Sequence, residues 1–157
     1  MAAIKIEDNG SVSAMNCEQM DLPALCNYRI EQTEGNPVEF TGRLMASGTK
    51  RRSPKYYHIK DKMEIYLTVE GKYIVVFWSN NPYLRGQVAA FDGLNNLGVV
   101  AELISFMAKT LKEVLGYGIG QYFMLFYSQI FREAIDIKLK LLNAGVLSTT
   151  RMDRQIA

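Results

Sequence analysis

The sequence predicts an α+β fold, a four-stranded antiparallel meander followed by a C-terminal αα-hairpin packed on one face of the sheet. Three observations predict it. Short segments rich in β-branched and aromatic residues occupy residues 25–79, two of them are joined by a tight turn, and two long stretches with helical spacing follow from Leu97.

Residues 1–24 mix small and polar types around Gly10 and Pro23 and show no sustained period, so they read as an N-terminal arm. A single domain is expected over 25–147. Strands are expected at Leu25 to Gln32, Val38 to Ala46, Tyr56 to Thr68 and Lys72 to Ser79, separated by turn chemistry at Glu34-Gly35-Asn36-Pro37 and Gly48-Thr49. The clearest local signal lies between the last two. Met63, Ile65, Leu67 and Val69 alternate with Glu64, Tyr66 and Thr68, and Glu70-Gly71 then supplies the turn of a β-hairpin. The second arm, Tyr73 to Trp78, is almost continuously apolar, as in a strand covered on both faces.

Asn80-Asn81-Pro82 breaks that strand, and the stretch to Asn96 reads as a loop with room for a pocket between sheet and helices. Asn96 is a suitable N-cap for a helix from Leu97 to Leu115, in which Val100, Leu103, Ile104, Met107, Leu111, Val114 and Leu115 share one side. Gly116 and Gly118 mark a short turn. A second helix is expected from Ile119 or Gln121 to Leu142, closed by Asn143 and Gly145. Residues 148–157 are polar and without period, and read as a flexible C-terminal tail. No internal repeat is apparent.

Composition excludes several classes. With 157 residues, 48% of them apolar and 22% charged, the chain can bury a core and is neither collagen-like nor wholly disordered. A net charge of +2 does not make a polycation, so binding to nucleic acid or lipid headgroups would need a local cluster. The first ten residues hold no apolar signal segment, and the apolar runs at Ile74 to Trp78 and Tyr122 to Tyr127 fall far short of the roughly 20 residues a membrane crossing needs. The expectation is a cytoplasmic, soluble protein without membrane insertion. Cys17 and Cys26 then read as reduced thiols rather than a disulfide.

The most pronounced anomaly is Tyr122-Phe123-Met124-Leu125-Phe126-Tyr127, apolar on every side of the second helix. One stripe, Phe123, Phe126, Tyr127, Ile130, Ala134, Ile137 and Leu141, can face the core. A second, Met124, Phe131, Ile135 and Leu142, then needs another cover: a second subunit, a protein partner, or another segment of the same chain. The leading functional expectation follows from it. The chain reads as a small, non-catalytic interaction, assembly or regulatory module that self-associates through this helix, with those four residues as interface anchors.

The alternative rests on Lys50, Arg51, Arg52, Lys55, Tyr56 and Tyr57, cations beside aromatic rings between two strands, a combination suited to phosphates and stacked bases of single-stranded nucleic acid. A solvated loop has the same composition. A third reading, an enzyme pairing Cys17 or Cys26 with the only histidine, His58, lacks any surrounding nucleophile signature. One histidine and two distant cysteines do not make a zinc set. Gly116-Tyr117-Gly118-Ile119-Gly120-Gln121 precedes a helix but follows another, which is the wrong context for a phosphate-binding loop. No catalytic residue, metal ligand or cofactor is assigned. Glu31, Glu39, Glu64, Glu70, Asp92, Glu102, Glu133 and Asp136 read mostly as solvent-facing acids, the last two as partners of Arg132, Lys138 and Lys140.

Overall fold

A computed structural model describes residues 3–5, 22–51, 60–80, 87–115 and 117–147. The elements run β1 (Ala3–Lys5), β2 (Cys26–Ile30), β3 (Val38–Arg51), β4 (Lys60–Thr68), β5 (Tyr73–Ser79), β6 (Val88–Leu94), α1 (Leu97–Leu115) and α2 (Tyr117–Asn143). The class is α+β, with every strand antiparallel to its sequence neighbour in a continuous meander. The sheet has five principal strands rather than the expected four, and the three-residue β1 adds a sixth at its edge.

The added principal strand is β6, which occupies the stretch read as a loop between Asn80 and Asn96. Val88-Ala89-Ala90-Phe91 pairs with β5, from Trp78↔Val88 to Val75↔Phe91, although two alanines give it little intrinsic β preference. The Asp92-Gly93 dipeptide, ordinary turn chemistry, here makes a register shift: Gly93 takes φ 68° and the pairing resumes at Tyr73↔Leu94. A second departure is in β3, which runs past Gly48-Thr49 to Arg51 and pairs with β4 as far as Arg51↔Lys60. Gly48 is a packing position rather than a turn. A Cβ there would sit 2.8 Å from Ile130 Cδ1, so the missing side chain seats α2 on β3. Gly42 answers a different need, because a Cβ would lie 2.6 Å from the Leu67 carbonyl oxygen on β4.

The hairpin of β4 and β5 forms as its alternation predicts. Gly71 adopts φ 86°, and its N–H donates to the Thr68 carbonyl at 3.0 Å. Val69, expected on the apolar face, instead sits exposed in the turn. Asn96 caps α1 as expected: its side-chain oxygen accepts the Val99 N–H at 2.9 Å. α2 begins at Tyr117, earlier than expected, and ends in a Schellman arrangement. Gly145 lies at φ 75°, the Val146 N–H reaches the Leu141 carbonyl at 2.9 Å, and the Gly145 N–H reaches that of Leu142 at 3.1 Å.

Two cores lie on opposite faces of the sheet. On one, Met45, Ala46, Met63, Ile65, Leu67, Tyr73, Val75 and Phe77 pack against Leu97, Val100, Ile104 and Ala108 of α1 and Phe126, Tyr127, Ile130, Ala134 and Leu141 of α2. A bulge contributes to this face, since the shift between Leu44↔Tyr66 and Ala46↔Ile65 lets both Met45 and Ala46 reach it. The sheet curls about the other core, a half-barrel filled by Cys26, Tyr28, Ile30, Tyr66, Ile74 and Val76. Tyr28, Phe40 and Tyr66 form a triangle of rings 4.8 to 5.4 Å apart inside it. Each fully buried side chain of this kind contributes about 1.5–3 kcal/mol. β5 is therefore covered on both faces, as its apolar run predicts.

The curl brings the segment after β2 onto β6. Thr33 donates its N–H to the Val88 carbonyl at 3.0 Å and accepts the Val88 N–H on its hydroxyl at 2.7 Å, while the Gln32 side chain accepts the Ala90 N–H at 3.0 Å.

Candidate functional site

α2 is longer and more apolar than one contact face requires, and the structure separates its apolar positions into three groups. Phe126, Tyr127, Ile130, Ala134 and Leu141 are buried against the sheet and α1. Met124, Phe131 and Ile135 are half-buried and lean on that same core from one side, and Leu142 is half-buried without belonging to it. Leu125 and Leu139 point outward, 70% and 47% exposed. Phe106 on α1 adds an exposed ring, 63% accessible. All four anchors read from the sequence thus have partial cover within the chain, three of them against the core. The spacing of Leu125 and Leu139, fourteen residues apart on one side of the helix, is the signal that sequence reading passed over.

Lys138 was expected among the solvated charges of α2. It is instead buried, because it stands one helical turn past Ala134 on the core side, and its Nζ lies 5.1 Å from the centre of the Tyr73 ring. Glu133, Asp136, Arg132 and Lys140 are exposed.

The basic-aromatic cluster is described only at its start. Lys50 and Arg51 end β3, where the register sets them opposite Asp61 and Lys60. Arg52, Lys55, Tyr56, Tyr57 and His58 lie outside the described residues, as does Cys17. Cys26 carries a free thiol buried on the inner face of the sheet, closed to a substrate in this conformation. Among the described residues no group of three or more His, Cys, Asp or Glu side chains converges as a metal site would require.

Glu64, read as solvent-facing, is buried inside the half-barrel because the sheet curls over that face. Its Oε2 stands 3.5 Å from Lys62 Nζ. Glu64 Oε1 and the neighbouring Tyr66 hydroxyl are buried and, among the described residues, complete no well-formed hydrogen bond, although the carboxylate stands near enough to act on the phenol. Burial, with the Glu64 carboxylate beside it, pushes the Tyr66 phenol well above its ordinary range near 10. Nearby on the helix side, Asp61 is also buried and accepts the Ser79 hydroxyl at 2.8 Å.

The fold and this surface define an α+β protein, a curled antiparallel meander backed by a helical hairpin whose outer side keeps exposed apolar residues. No family model, no curated protein and no solved structure matches the chain. No helix among the described residues is long and apolar enough to cross a membrane.

Proposed function

We propose that this protein is a non-catalytic interaction and assembly module that associates through the outward side of α2. The observation that carries the reading is the exposure of Leu125, Leu139 and Phe106 on a hairpin whose sheet-facing side is already buried. Large apolar side chains held on rigid helices lose little entropy on docking, and a half-buried neighbour such as Ile135 gains further cover from a partner. Native mass spectrometry of the full chain tests the reading. An oligomer that dissociates in Leu139→Glu while circular dichroism stays unchanged is expected. A chain that is monomeric throughout and captures no protein partner through this surface refutes it.

A second reading, binding of single-stranded nucleic acid, is favoured by one observation. The register pairs Arg51 with Lys60, so the end of the β3–β4 ladder brings two basic residues to one level of the sheet. Its test is fluorescence anisotropy with a labelled oligonucleotide. Affinity should fall steeply between 50 and 200 mM salt, by roughly tenfold for each two or so phosphates contacted, and vanish in Arg51→Glu with Arg52→Glu. Salt-independent binding, or none, would sink it.

A further inference from the structure

The outward side of α2 holds a repeat that its own core leaves largely uncovered, Ile135 alone among its members leaning on that core. Leu125, Ser128, Arg132, Ile135, Leu139 and Leu142 follow one another at intervals of 3, 4, 3, 4 and 3 residues, the spacing of a coiled-coil seam. By helical geometry this line lies roughly 165° around the helix from the stripe of Phe126, Ile130, Ala134 and Leu141, and it extends over about 25 Å. Its members are exposed or half-buried. The seam is long enough for a second helix and carries two polar positions, Ser128 and Arg132, which penalise wrong registers.

Resting on the self-association proposed above, we infer that the occupant of this seam is α2 of a second copy of the chain, docked antiparallel about a two-fold axis between Glu133 and Ala134. Charge decides the direction. A parallel, in-register pair would set Arg132 against Arg132 at one level, two like charges at a position meant for packing. The antiparallel pair staggers them. Leu125 then meets Leu142 of the second copy, Leu139 meets its Ser128, and Ile135 covers the stem of its Arg132. In that register each Arg132 guanidinium comes beside Asp136 of the other copy, so the two-fold axis produces the ion pair twice. Arg132 and Asp136 are both exposed in the single chain and free of any role in its core, which leaves them available to set the register.

Sedimentation equilibrium of the full chain, together with Arg132→Glu, Asp136→Arg, the double exchange and Leu139→Glu, tests this. Each single charge reversal should weaken the dimer about tenfold or more, since it replaces two attractions by two repulsions, and the double exchange should restore it. Leu139→Glu should abolish it. A dimer lost in Leu139→Glu yet indifferent to all three charge variants would overturn the antiparallel register while leaving the surface intact. A chain that stays monomeric at every concentration would overturn the self-association itself, and the register with it.

Discussion

Replacing Tyr66 by phenylalanine should make the protein less sensitive to alkali, by an amount the inner core sets. The Tyr66 hydroxyl is fully buried, completes no well-formed hydrogen bond among the described residues and lies beside the Glu64 carboxylate. Its phenol therefore stays protonated in the folded chain far above pH 10, whereas the unfolded chain releases the proton near the ordinary value of 10.0. Above that pH the unfolded state binds fewer protons than the folded state, and stability falls as pH rises. The loss attributable to this group is about 0.1 kcal/mol at pH 9, ~0.4 kcal/mol at pH 10 and ~1.4 kcal/mol at pH 11. Tyr66→Phe removes it. At pH 7 the variant should be neutral or up to about 2 kcal/mol more stable, because it deletes an unsatisfied polar group without changing the ring. Urea unfolding of both proteins at pH 7, 9, 10 and 11 measures the difference. The gap should widen by about 1.4 kcal/mol between pH 7 and pH 11, other tyrosines cancelling in the subtraction. Parallel pH dependences, or a variant destabilised by more than about 1 kcal/mol at pH 7, would mean that the hydroxyl has a partner and that the inner face is not the dry core described.

Two further outcomes test the sheet and its junction with the helices. Gly42→Ala should cost about 3 kcal/mol, because the new Cβ meets β4 backbone that cannot step aside. Gly71→Ala, strained only by its φ of 86° with open space around it, should cost about 1–2 kcal/mol, so the urea midpoints must fall in that order. Asn96→Ala should cost about 1 kcal/mol by stripping the Val99 N–H of its acceptor, seen as a lower midpoint with unchanged helix content in the folded baseline.

What could be read from the sequence was local. The β4 and β5 hairpin announced itself by strict alternation and a turn, and α1 by a cap and a 3.6-residue period; both form as read. The features missed are those that tertiary contacts impose. β6 is a strand because β5 offers it a ladder, against the evidence of its alanines and its Asp92-Gly93 pair. Gly48 reads as a turn until Ile130 of α2 is seen to need its space. Glu64 and Tyr66 look like an outer face until the sheet curls, and curl has no one-dimensional signature. On α2 the pattern contained two apolar stripes but not which would be covered, since that depends on the side from which α1 approaches.

The clasp between Thr33, Gln32 and β6 bears on how copies of the chain can meet. A bare strand margin invites another strand to continue its ladder, a route that has no natural stopping point and leads toward fibres. Here the outward N–H and carbonyl of Val88 and the outward N–H of Ala90 are already engaged, by a residue pair that belongs to the same chain and is tethered to β2. An incoming strand would have to evict three bonds at once. Growth along that margin is blocked, whereas two helices meeting about a two-fold axis complete each other and stop at two.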